Sequence, residues 1–451
     1  MNQSPLWAEL PEVAIANVYK FLGNRDLLNA SRSCWHWRGV VFQRRFFKDF
    51  KFTLTINDER QCNFFMNTIF NLPNELTIAF DFLNVYHINK VRRILFKISQ
   101  HDTMQGIRFR TNSVGLAPPG GTFSDQEYVD VEKAFVDPLK LFLSRKRPSI
   151  KVLDLGAIEA LTYHGTDFLK LLNRPHDLQE ITLASIKFDP SHYPILAVEH
   201  VFFEKCTSLQ VLSLDYDTLN EDILKTIQIL PLKTFMICVH GLDLSHSGIS
   251  ETAWTEFSNK FKTIKLVLTL IYAYEAVEIL QMNLLRRNMP ITHLRVLFCK
   301  YMNFDALDFM ANCYKDTLRS VQWIDSAVDD PQKNVMELVL RPGADPIVML
   351  AWRCKFLEEI VIHGYVMDPY NLVGVSRLLG RNLKRLEVSM IDSEAISGIM
   401  DSFIEEISIQ LAQKWSPMDS NEMHPSLGYM PVCDDVRDEY ILDLLRSDLS
   451  D

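Results

Sequence analysis

The sequence has no uncharged apolar run approaching the roughly 20 residues that a bilayer-spanning helix requires. Its opening residues, MNQSPLWAELPEV, lack the basic start, apolar stretch and small-residue cleavage site of a secretion signal. Together these absences point to a chain that works in the cytoplasm or the nucleus and makes no membrane contact. The cysteines, Cys34, Cys62, Cys206, Cys238, Cys299, Cys313, Cys354 and Cys433, are scattered singly, with no close pair at metal-ligand spacing. They read as reduced, mostly buried small hydrophobes. His192, His200, His240 and His424 are equally dispersed, so no local H-x3-H pair offers a metal site.

Motifs for chemistry are missing too. No G-x-S-x-G, H-E-x-x-H or dinucleotide fingerprint occurs, and the turn around Gly343 lacks the glycine spacing and Lys-Ser/Thr pair that would cradle a phosphate. An enzymatic reading has nothing local to rest on. Asp and Glu number 57 against 47 Lys and Arg, a net charge of -10, so the chain as a whole repels a phosphate backbone and nucleic acid is not an expected partner. The stretch RRFFKDFKFTL, with Arg44, Arg45, Lys48 and Lys51, has the ingredients of a basic patch. It reads better as a linker whose Phe46, Phe47, Phe50 and Phe52 enter a first core layer.

What the sequence does have is repetition. Hydrophobic residues make up 47% and charged residues 23% of 451 positions, the balance of a packed protein too long for one small core. One short phrase returns as IKVLDL at 150–155, LQEITL at 178–183, LQVLSL at 209–214, LKTFMI at 232–237, HLRVLFC around Leu294, LRSVQW at 318–323, LEEIVI at 357–362 and LKRLEV at 383–388, with TIKLVLTL at 263–270 a less regular copy. Each phrase is an apolar residue, two free positions, then two apolar residues separated by one. Helical patterns lie between them, such as FLKLLNR, LNEDILKTIQIL and ALDFMANCY. A strand and a helix per repeat cannot bury their faces alone, so the expected fold is α/β, a leucine-rich repeat solenoid: a horseshoe with a parallel sheet on its concave side.

The repeats proper are expected over 150–410. Weaker copies fill 50–149, with ELTIAF and GIRFRT as strands, VRRILFKI as a helix or strand, and a surface loop at 115–128. A second irregular piece spans 325–346. Residues 411–451 are expected to cap the solenoid, with Tyr440, Ile441, Leu444 and Leu445 packing on the last repeat.

Before the repeats, Leu10, Val13, Ala14, Val18, Phe21 and Leu22 recur at the spacing of one buried helical face behind a proline. Gly23-Asn24 ends that helix, a second runs from Asp26, and a third carries Trp35 and Trp37 to about Phe42. The segment LPEVAIANVYKFLGNRDLLNASRSCWHWRGVV resembles the F-box family without a gap, through Leu10, Pro11, Glu12, Val18, Tyr19, Leu22, Asp26, Leu27, Leu28, Cys34 and Trp37. It departs at Arg25, where a proline is usual, and at Ser33, where valine is commoner.

The resemblance implies an F-box at 5–45 that binds Skp1 through Leu10, Pro11, Glu12, Val18, Tyr19, Leu22, Leu27, Leu28 and Trp37, and through Skp1 a cullin-RING ubiquitin ligase. An F-box followed by leucine-rich repeats resembles the substrate-recognition subunit of an SCF ligase, which holds a target protein, performs no catalysis and needs no cofactor. The other reading is a repeat scaffold whose helices merely cap the solenoid. Strand alternation is expected to place Val211, Asp215, Met236, Val296, Phe298, Gln322, Ile324, Glu359, His363, Arg385 and Glu387 on the concave face as the target surface.

Overall fold

The structure is a computed structural model that describes residues 7–43, 46–55, 59–100, 103–112, 132–145, 149–241, 246, 248–327, 344–392, 398–419, 421–428 and 430–449. The chain divides into two compact units, Met1–Ile181 and Thr182–Asp451. Helices of at least seven residues are numbered below, among the described residues.

The first unit opens with α1 (Glu12–Tyr19), α2 (Asn24–Ala30) and α3 (Trp35–Val41). Pro11 precedes α1, where a missing amide proton costs nothing. The strands β1 (Asp49–Thr53), β2 (Glu75–Phe80), β3 (Gly106–Thr111) and β4 (Val152–Asp154) then pair in sequence order, all parallel. Their first residues are in register, with Asp49 opposite Glu75, Glu75 opposite Gly106 and Gly106 opposite Val152. Each repeat therefore begins one strand at the same level. Between them lie α4 (Val85–Ile98), which settles VRRILFKI as helical, and α5 (Asp137–Leu143), with α6 (Gly165–Leu171) after β4. The 50–53 stretch read as linker core is itself a strand, whose Phe50 and Phe52 stack on Phe65 at 5.6 and 4.1 Å between centroids. The loop expected at 115–128 lies outside the described residues.

In the second unit, β6 (Val211–Asp215), β7 (Thr234–Val239), β8 (Lys265–Ile271), β9 (His293–Leu297), β10 (Ser320–Ile324), β11 (Glu359–Met367) and β12 (Arg385–Ile391) also pair in parallel and in sequence order; β5 (Glu180–Thr182) precedes them. One aliphatic row crosses all seven: Leu214, Ile237, Leu268, Leu294, Val321, Ile360 and Leu386 are successive partners. This row faces the helices α7 (Glu221–Ile227), α8 (Glu251–Lys260), α9 (Phe304–Cys313), α10 (Pro346–Arg353) and α11 (Pro369–Leu379). A short polar side chain starts each of them. Asn220, Ser250, Asn303, Asp345 and Asp368 each accept a hydrogen bond from a first-turn amide, which satisfies donors that the helix itself cannot. Of the irregular piece at 325–346, residues 328–343 lie outside the described set.

Beyond β12 come α12 (Met400–Leu411) and α13 (Asp434–Leu449). In the segment between them, the Trp415 indole donates to Leu386 O at 2.8 Å and the Met418 amide to Val388 O at 2.9 Å, which occupies the outer edge of β12. The helix α13 brings Tyr440 within electrostatic reach of Glu387 and Arg385 on β12. It turns back across β8 and β9, where Lys265 and Arg295 both pair with its Asp448.

Candidate protein-docking surfaces

The N-terminal helices make their own small core. Ile15, Ala16, Tyr19, Leu27, Val40 and Val41 are buried. The Tyr19 hydroxyl donates to Trp37 O at 3.0 Å and its ring stands edge-on to Trp37. The Trp37 indole in turn donates to Trp7 O at 2.9 Å, and His36 Nε2 lies 2.8 Å from Leu10 O, which ties the leading segment to α3. The α1 face expected to be buried is in fact split. Val13 is 72% and Phe21 88% exposed, because Ile15 and Tyr19 already fill the space against α3. Trp7 and Trp35, at 73% and 89% exposed, join them as apolar surface that nothing among the described residues covers.

The residues expected to meet an adaptor therefore fall into three groups. Pro11, Glu12 and Val18 are exposed; Leu10, Leu22, Leu28 and Trp37 are half-buried; Tyr19 and Leu27 are buried in the module's core. Leu28 also lines a groove of about 940 Å³ together with Arg38, Phe50, Phe52 and Phe64, and so is turned toward β1. Sequence reasoning missed Trp7, Phe21 and Trp35 as surface. Their signal was large apolar side chains in a module too small to bury them all.

Three short helices with a shared core and surplus exposed aromatics are the build of a docking module. Residues 7–49 match the F-box domain family. Over most of its length the chain is similar to F-box only protein 33 of Homo sapiens, 22% identical over 471 residues that span 90% of this chain and 82% of the relative. F-box only protein 33 of Mus musculus matches to the same degree, 22% over 476 residues with 90% and 82% covered. The similarity thus extends through the repeated strands and is not confined to the F-box.

On the sheet of the second unit, one face carries the row Asp215, Cys238, Thr269, Arg295, Gln322, Val361 and Glu387, each the ladder partner of the next. Val211, Met236, Ile324, Glu359, His363 and Arg385 share that face by alternation. Val296 does not. It pairs with Leu270 and Trp323 and belongs to the helix-facing core. Phe298 lies past the end of β9 at φ +54°, stacked on Tyr272 and touched edge-on by Tyr440 of α13.

The open target surface expected from these positions is largely a covered one. Asp215, Met236, Val296, Phe298, Gln322, Ile324 and His363 are all buried. Burial opposes the charge of Asp215, but Lys187 at 2.5 Å and His240 at 3.3 Å outweigh it and hold the carboxyl below its usual range. Only Val211 and a charged cluster on β11 and β12 remain accessible: Arg385 reaches Glu359 at 2.8 Å and Glu387 at 2.7 Å, and Glu387 also meets the ring of His363 at 2.9 Å. Among the described residues no group of three or more His, Cys, Asp or Glu is placed to hold a metal, and no helix is long and apolar enough to cross a membrane.

Proposed function

We propose that this chain is the substrate-recognition subunit of an SCF-type ubiquitin ligase: its F-box docks on Skp1, and its strand-helix repeats, of the leucine-rich class, hold a target protein. The observation that carries the reading is the exposed apolar face of a module that matches the F-box family. Trp7, Val13, Phe21 and Trp35 stand in solvent although the module has a complete core without them, and aromatic side chains of this kind anchor heteromeric interfaces. The relatives' name, F-box only protein, supports the same reading.

In this role the chain does no covalent chemistry. It raises the effective concentration of target lysines near a ubiquitin-loaded enzyme that the cullin arm brings. The accessible charged cluster of Glu359, Arg385 and Glu387 is a contact that orients the target and rejects partners of the wrong charge pattern.

Replacing Leu10 and Pro11 together with alanine is expected to weaken Skp1 binding more than tenfold, since loss of buried interface anchors costs roughly 1 to 4 kcal/mol. Titration calorimetry against purified Skp1, with circular dichroism to confirm folding, measures it. Co-purification from cells gives the second test: Skp1 and a cullin at stoichiometric amounts are expected, and their absence would favour a repeat scaffold that recruits no ligase.

A further inference from the structure

The second unit's sheet is covered by a helix that fits it imperfectly. From Asp438 to Asp448, α13 rises about 15 Å, and its contacts run from Tyr272 just past the end of β8 back to Lys265 at its start. It therefore lies along the strands in the opposite sense. The Tyr272 hydroxyl and Asp438 are 3.1 Å apart; Arg295 donates to Asp448 at 2.7 Å and to Leu444 O at 2.9 Å; Lys265 lies 3.6 Å from Asp448. Arg437 stands over the Phe298 ring.

Such contacts are charge-matched but poorly sealed. Of the sixteen residues of α13, the buried apolar ones are Ile441 and Leu442, while Asp438 and Asp448 are buried as well. Thr269 Oγ1, Arg295 Nε, Gln322 Oε1, Arg437 Nε and Asp448 Oδ2 are buried with no hydrogen-bond partner among the described residues. A buried polar atom left unpaired opposes burial, so the seam separates more readily than the aliphatic rows beneath it. Beneath the helix, Tyr272 and Phe298 hold left-handed φ values of 52° and 54°, a conformation that side chains of their size rarely adopt.

We propose that the β8–β10 face is a docking groove for an acidic amphipathic helix of the target protein, and that α13 is its intramolecular stand-in, displaced when the target binds. The charge pattern commits the groove to that occupant. Lys265 and Arg295 converge on the one carboxylate of Asp448 at one end, the aromatic pair Tyr272 and Phe298 receives the carboxylate of Asp438 and the ring of Tyr440 at the other, and a short aliphatic patch lies between. A basic or uniformly apolar helix would leave Arg295 buried and unpaired. This deepens the proposed function by naming the kind of segment the repeats hold, and it is independent of how the F-box docks.

The test uses a chain ending at residue 433 and a fluorescent peptide of residues 434–449. The peptide is expected to bind the shortened chain saturably and the full chain at least tenfold more weakly; Arg295→Met in the shortened chain, or Asp448→Asn in the peptide, is expected to weaken binding at least tenfold. A folded shortened chain that ignores the peptide, or equal binding by both chains, overturns the proposal. Should the shortened chain fail to fold, hydrogen exchange on the full chain decides. The α13 amides are expected to exchange by local opening at least a hundredfold faster than those of β9, and exchange of both at one common rate would make α13 ordinary core. Skp1 affinity, measured on the same samples, reports on the ligase reading separately, so either idea can fail alone.

Discussion

Gly364 occupies φ +81° inside β11, and a Cβ built there would lie 2.6 Å from Asp325 O. Asp325 cannot move away to make room. Its buried carboxylate accepts the Lys300 amide at 3.0 and 3.1 Å and also the hydroxyl of buried Tyr365. Gly364→Ala is therefore expected to cost at least about 2 kcal/mol, read from the urea midpoint at constant slope. His293 supplies a pH dependence. Burial, with Lys265 and Arg295 beside it, pulls its ring from the ordinary 6.5 down to about 4. The unfolded ring takes up a proton as the pH falls through 6.5 while the folded ring stays neutral, so the stability present above pH 6.5 is lost as the pH approaches 4, by on the order of 3 kcal/mol. Unfolding curves across that window should flatten in His293→Asn.

At the scale of elements, the last strand depends on one tryptophan. Trp415 is buried, its indole closes the outer edge of β12, and its amide donates to Ser408 Oγ of α12 at 3.0 Å. Trp415→Ala should cost about 3 to 5 kcal/mol by cavity formation, with hydrogen exchange accelerated in β12 before β9. Met236 behaves as core and not as a free surface. A charged substitution there, for example Met236→Asp, is expected to abolish cooperative thermal unfolding, because the side chain is buried under its neighbours. The same ladder logic explains why alternation placed nine of the eleven expected target residues on one face but failed for Val296 and Phe298. The phrase HLRVLFC runs on to Cys299, so taking its closing apolar pair as Leu297 and Cys299 turns Val296 and Phe298 outward, whereas the strand ends at Leu297 and its helix-facing pair is Leu294 and Val296.

At the scale of the molecule, the exposed F-box aromatics separate binding from stability. Phe21→Asp and Trp35→Asp should leave the melting temperature unchanged, since exposed positions away from packed contacts usually shift stability by less than about 0.5 kcal/mol. Skp1 affinity should nevertheless fall tenfold or more. Ile15→Ala, inside the module, should cost about 2 to 5 kcal/mol of stability. Comparing the three by calorimetry and thermal melting distinguishes an interface from a core.

Periodicity alone determined the strand-helix alternation, since apolar spacing is local and each phrase carried its own strand; IKVLDL and LRSVQW are β4 and β10. The F-box was legible for a similar reason, its residues lying close together in one ungapped stretch. Tertiary structure alone decided what covers each face. The spacing of Val13, Val18 and Phe21 defines a helix side, but whether that side meets α3 or a partner depends on how much space Ile15 and Tyr19 leave. Asp448 and Arg295 are 153 positions apart in the chain, and no local pattern links them. Only the folded chain brings α13 onto β8 and β9, because long-range charge pairing is set by where the backbone returns and not by neighbours in sequence.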